Sequence, residues 1–236
     1  MKVAIMQPYF VPYIGYYQLI QFVDVFVVYD NIEYTKKGWF SRNRILKNGE
    51  PELISLPLAK GPDNAHVLDR FLADTFHNKD KIKLKNKIQE LYRKAPYFNQ
   101  TIAVINTIFE SESNNLFEFI FNSLKITTNY LQITTPMVRS SLIDIDHSLR
   151  SEDKVLAICD FLKADQYVNP IGGLNLYSRD RFKQKDIELS FLKANNIIYS
   201  QNIAHPFVPF LSIIDVMMYN PLDNIVEFLN QEFTIQ

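Results

Sequence analysis

Two clusters within the first 45 residues gather side chains of the kind that bind and orient a ligand. The first follows an apolar run, Lys2 to Met6, and contains Gln7, Tyr9, Tyr13, Gly15 and Tyr16. Gly15 would permit close backbone approach at a helix start, where free N–H groups favour an anion. The second cluster, Tyr34 to Ile45, reads YTKKGWFSRNRI. Arg42 and Arg44 alternate along an extended segment and therefore share a face, with Lys36, Trp39 and Asn43 beside them. Arginine offers a bidentate fork for phosphate or carboxylate, and tryptophan a flat stacking surface. Together they suit a nucleotide or a nucleotide-sugar. The plainer alternatives are tyrosines that simply pack and a solvated basic face flanking a core Trp.

Further groups lie along the chain. Ser140-Ser141 follows a short strand and could donate to phosphate. Asn169-Pro170-Ile171-Gly172-Gly173 is a strand running into a glycine turn whose N–H groups could cradle a ligand. His205, in NIAHPFVPF, sits among prolines that could hold it at a cleft, and histidine titrates near neutrality as a general base must. Asp215 interrupts the apolar run SIIDVMM and needs a partner there; Arg42 or Arg44 is the expected one. His147 follows Asp144 and Asp146 but has no second His or Cys at ligand spacing, so no metal is expected. Cys159, inside an apolar helical pattern, reads as a buried small hydrophobe and not as a nucleophile.

The elements that must carry these groups are mixed. Val25 to Tyr29 is a second strand ending in Asp30-Asn31, so the chain opens with a β-loop-α-β unit whose loop lies where α/β folds place their sites. Nucleotidylyl transferases carry a phosphate-binding His-x-Gly-His after that first strand; here the letters are Tyr13-Ile14-Gly15-Tyr16. Pro51 to Leu58 alternates like a strand. Asn78 to Lys94 has apolar residues at helical spacing, with Asn78 and Asp80 as cap candidates. Tyr97 to Phe109 and Leu116 to Leu131 follow as helices. Ser151 to Leu162 is a helix with a Ser-Glu-Asp start suited to capping and to the dipole. Gln166 to Asn169, Ile187 to Leu192 and Ile197 to Tyr199 read as strands, and Leu211 to Tyr219 and Leu222 to Gln231 as helices. The expected fold is one Rossmann-like α/β domain over residues 1–236, with a mostly parallel sheet and a helical insertion over roughly 78–132.

Composition narrows the class. A 47% hydrophobic content can bury a core in a chain of 236 residues, and a formal net charge of −1 offers no basic field for nucleic acid. A single cysteine forms no internal disulfide, which fits a cytoplasmic setting. No signal segment and no run of ~18 apolar residues is evident, so no membrane insertion is expected. The Phe-rich middle helices fit a homo-oligomer surface as well as an internal core.

Four segments in order resemble the WbqC-like family: QPYFVPYIGYYQLI, YDNIEYTKKGWFSRNRI, YVNPIGG and FVPFLSIIDVMMYN. The resemblance spans the chain. Many relatives read QPHYLPW in the first loop, where Tyr9 stands in place of the histidine. The family's lysine falls on Lys36, its Arg-Asn-Arg on Arg42, Asn43 and Arg44, and its Tyr-x-Gln on Tyr199 and Gln201. The resemblance implies a bacterial protein of surface-polysaccharide or O-antigen (lipopolysaccharide) synthesis, an N-acyl or aminoacyl (for example glycyl) transferase acting on a nucleotide-linked amino sugar. It implies no tightly bound cofactor, and an acyl donor that is a thioester on coenzyme A or an acyl carrier protein. Within that reading His205 or Asp30 takes the amine's proton. Backbone N–H groups near Gly15 or Gly172 face the oxyanion. The remaining substrate contacts fall on Asn31 and the two clusters. Two alternatives stay open: a nucleotidylyl or adenylate-forming enzyme, and a non-catalytic nucleotide-sugar-binding protein.

Overall fold

The computed structural model describes residues 1–62, 64–201 and 206–236. β1 (Lys2–Met6) leads through the first loop into α1 (Ile14–Phe22), and β2 (Val25–Val28) returns parallel beside β1. An antiparallel hairpin follows, β3 (Arg42–Lys47) and β4 (Glu50–Ser55). Its two-residue loop, Asn48-Gly49, has φ of 52° and 82°, the left-handed pair that matches the twist of a tight hairpin. The helical insertion is α2 (Lys81–Tyr92), α3 (Phe98–Phe109) and α4 (Leu116–Tyr130). Then come β5 (Met137–Arg139), α5 (Ser151–Phe161), β6 (Gln166–Pro170), α6 (Arg179–Lys183) and β7 (Glu188–Ala194). The chain closes with α7 (Ile213–Tyr219), α8 (Leu222–Gln231) and β8 (Phe233–Ile235).

Six strands form one sheet in the order β5-β2-β1-β6-β7-β8. Every pairing is parallel except that of β8 with β7. Counted by chain order within the sheet, this is the Rossmann sequence, and the winding reverses between β1 and β6. The strands read as continuous apolar runs because both faces are covered. Alternation decides which side chain enters which layer. Ala4, Phe26 and Val28 face the larger core with α1 and the insertion, whereas Val3, Ile5 and Val27 face a smaller core with α5 and Phe182. Phe109, Phe117, Phe119 and Phe121 are buried in the larger core, which accounts for the Phe-rich helices within one chain.

Several local expectations are corrected. Neither Asn78 nor Asp80 caps α2: Phe76–Asp80 forms a wide π-type turn, Thr75 Oγ1 donates to Asp80 Oδ2 at 2.5 Å, and α2 starts only at Lys81. α5 has Arg150 at its cap position without a side-chain cap bond; Glu152 and Asp153 occupy its first turn as expected, but pair with Arg181. Residues 197–199 are not a strand, because Tyr199 is drawn to a buried carboxylate instead of a sheet edge.

Candidate functional site

The first loop is held rigidly. Val11 has φ of 39°, a strained value for a β-branched residue. Three hydrogen bonds from two side chains fix it there: Asn43 Nδ2 to the carbonyls of Phe10 (3.1 Å) and Val11 (2.9 Å), and Ser212 Oγ to that of Val11 (2.7 Å). Phe10 N donates to Phe40 O and Ile213 N to Pro12 O. Asn43 is therefore a buried brace between β3 and the loop. Tyr16 is buried as well, its hydroxyl donating to Gln7 O at 2.8 Å. Gly15 lies under the Tyr13 ring: a Cβ there would stand 2.4 Å from Tyr13 Cε2. The close approach that glycine permits is filled by the protein's own tyrosine, so Gly15 lines no cleft.

A cleft of two lobes opens above the carboxyl ends of the strands. The strand-end lobe, about 620 Å³, lies over β1, β2 and β6 at the reversal point. Gln7, Tyr9, Asn31, Asn169, Gly172 and Gly173 line it, as the sequence suggested. A Cβ on Gly173 would stand 1.9 Å from Asn169 Nδ2, so glycine is needed where the amide folds over the turn. Gly172 has open space where a side chain would stand. The second lobe, about 400 Å³, is lined by Trp39, Arg44, Asn43, Tyr13 and Phe210. Tyr9 lines both lobes and marks their junction. Burial raises the pKa of Tyr9 and Tyr13, so both phenols stay neutral donors at physiological pH.

The two arginines share the Trp39 face, as their alternation requires; their guanidinium carbons stand 5.6 Å (Arg42) and 5.3 Å (Arg44) from the ring. Their roles differ. Arg42 turns onto its own loop, donating Nε to Gly38 O at 2.9 Å and Nη2 to Lys37 O. Arg44 donates to Phe210 O at 3.5 Å, and its buried Nε has no partner among the described residues. Lys36 is exposed and lines neither lobe.

Beneath the strand-end lobe lies Asp30, fully buried. It accepts from Ser140 Oγ (2.7 Å), Ser141 Oγ (2.5 Å) and Ser141 N (2.8 Å). Ser140 and Ser141 thus serve a protein carboxylate, and Asp30 orders the floor without lining the cleft. Asn31 bridges to His147, with 2.9 Å between Nδ2 and Nδ1. Asp215 is also fully buried, but its partners are Tyr92 (2.7 Å), Tyr199 (2.7 Å) and Gln201 (2.9 Å), not Arg42 or Arg44. The reason is position: α7 sits on the larger core, where the Tyr92 hydroxyl and residues 199 and 201 reach it first. Tyr199 also borders a narrow groove beside Tyr13 and Phe210. His205 lies outside the described residues.

Sequence reasoning missed Arg150 and Lys154, which line the strand-end lobe, and Lys193, which lines the other. Arg150 stands in extended backbone at the cap position of α5 and Lys154 in its first turns, so helical spacing alone does not bring them together. Burial and the neighbouring Arg150 push the Lys154 pKa below the ordinary lysine value, against the opposing charge of Asp30. No group of His, Cys, Asp and Glu among the described residues could hold a metal ion, and no helix among them is long and apolar enough to cross a membrane.

Rossmann strand order with a two-lobed polar and aromatic cleft at the reversal point defines an α/β protein whose cleft lies where such folds place their sites. The chain belongs to the WbqC-like protein family, whose model matches residues 7–227. It is similar to Uncharacterized protein Rv1507c of Mycobacterium tuberculosis (strain ATCC 25618 / H37Rv), 26% identical over 219 residues that cover 92% of each chain. No solved structure matches.

Proposed function

We propose that the protein is a transferase that places an acyl or aminoacyl group on the amine of a nucleotide-linked amino sugar for surface-polysaccharide synthesis. The donor in this reading is a thioester on coenzyme A or an acyl carrier protein. The observation that carries it is the pair of lobes meeting at Tyr9, a layout suited to two reactants whose reacting atoms must meet. The amine nitrogen attacks the thioester carbonyl, a C–N bond forms, the C–S bond breaks, and the amine's proton leaves with the thiol by way of a base. His205 remains the proposed base. Asp30 is less suited, because its oxygens already accept three hydrogen bonds below the cleft. The neutral Tyr9 phenol and the open backbone at Gly172 are the proposed oxyanion donors, and Gln7, Asn31 and Asn169 the contacts to sugar hydroxyls. A crystal soaked with a dTDP- or UDP-amino sugar tests this reading. The amine is expected beside Tyr9, and a sugar seated away from both lobes would contradict it.

A second reading, nucleotidylyl or adenylyl transfer, is favoured by the strand order alone. Against it, Tyr13 and Tyr16 replace the phosphate-binding histidines and the Tyr13 ring covers Gly15. ATP–pyrophosphate exchange would support it, and ligand binding without any turnover would leave a binding protein.

A further inference from the structure

We propose that the strand-end lobe seats the diphosphate of the nucleotide-sugar on Lys154 and Arg150, leaving the Trp39 lobe for the other reactant. Lys154 is 3% exposed, yet it lines the wall of that lobe. Its ammonium reaches His147 O at 3.5 Å and stands 5.1 Å from the Tyr29 ring; it forms no ion pair among the described residues. A buried cation so sparsely partnered is costly unless an anion completes it. Asp30 acts on the ammonium through its charge but forms no ion pair with it, and the other carboxylates of this wall are turned elsewhere. Asp30 is taken by Ser140 and Ser141. Glu152 accepts from Ser178 N at 2.6 Å and pairs with Arg181 at 2.7 Å. Glu33 stands exposed at the rim.

Arg150, one turn before Lys154, lines the same wall and also forms no ion pair among the described residues. Two cations, one at the cap position of α5 and one within the helix, line the same cavity above the switch point and form a seat for a doubly charged diphosphate. Of the two arginines beside Trp39, Arg42 is spent on its own loop carbonyls, which leaves Arg44 and the exposed Lys193 in that lobe against Arg150 and the buried Lys154 here. The nucleotide-sugar as the diphosphate's bearer and the assignment of the Trp39 lobe rest on the reading above; an anion seat at Lys154 and Arg150 does not.

Calorimetric titration of the full chain with uridine diphosphate tests the inference. Lys154→Met, which places an apolar side chain of similar length in a buried position, and the exposed Arg150→Ala should each weaken binding about tenfold or more. Arg44→Ala should leave the affinity within about twofold. If Lys154→Met does not fold, Arg150→Ala carries the test alone. The inference is overturned if the parent chain binds no diphosphate, or if Arg44→Ala loses binding while the other two retain it. Should this pattern appear without any acyl transfer, the anion seat stands and the transferase reading falls.

Discussion

The Ser140 hydroxyl donates to Oδ1 of Asp30 at 2.7 Å in the interior, and through that bond the end of β5 holds the chain leaving β2. Removing the carboxylate strands the Ser141 hydroxyl and N–H, while the Ser140 hydroxyl still has Asn31 Oδ1 at 2.8 Å. Asp30→Ala should therefore lose about 2–4 kcal/mol of stability in urea unfolding. A loss under about 0.5 kcal/mol, the usual range for a surface change, would contradict the role assigned to this carboxylate.

Asn43 braces the strained backbone at Val11 from across the hairpin. Asn43→Ala removes two hydrogen bonds; the Phe10 carbonyl loses its amide donor while the Val11 carbonyl keeps Ser212 Oγ, a cost of about 1–2 kcal/mol. The specific consequence is local. Amide hydrogen exchange should rise in residues 9–14 more than in the sheet, and uniform exchange throughout would argue against the brace.

Burial raises the pKa of Asp215 above the ordinary carboxylate value, against hydrogen bonds from Tyr199, Tyr92 and Gln201 that lower it. The folded state therefore binds this proton more tightly than the unfolded chain does. That contribution is complete below the ordinary aspartate value of ~3.9 and fades as pH rises through the raised folded value. Asp215→Asn has no proton to lose. Its stability relative to the parent should improve as pH rises from about 4 to about 7, followed by urea unfolding at each pH. A constant difference across that range would contradict the raised value.

Cys159 is fully buried, and burial pushes its thiol up to about 12. It should react with a thiol reagent only on unfolding, and Cys159→Ala should keep all acyl-transfer activity. Rapid labelling of the native chain would overturn this placement.

Most of the architecture was legible because its signals are local. The Pro8 and Pro12 breaks, the two apolar strands and the helical spacing of α2 to α4 can each be read within a short window. β8 and the β3–β4 ladder were harder. β8 is three residues at a sheet edge, and although the segment of Arg42 and Arg44 read as extended and Pro51 to Leu58 as a strand, the Asn48-Gly49 turn that pairs them was not recognised. At the site, the first loop, Trp39, Arg44 and the Asn169–Gly173 turn were found because their residue types are unusual. Arg150 and Lys154 were not, since charges at a helix start look like solvated surface until the fold turns them into the cleft. The partner of Asp215 was misassigned for a related reason: which donor reaches a buried carboxylate depends on how distant helices pack, and Tyr92 is 123 positions away.

Thiol release from an acyl-thioester in the presence of a nucleotide-linked amino sugar tests the central claim most directly. The account predicts release that requires both reactants, falls sharply in Tyr9→Ala at the junction of the lobes, and adds the acyl mass to the amino sugar. Tight binding of the nucleotide-sugar, with no thiol released from any acyl-coenzyme A or acyl carrier protein offered, would contradict it.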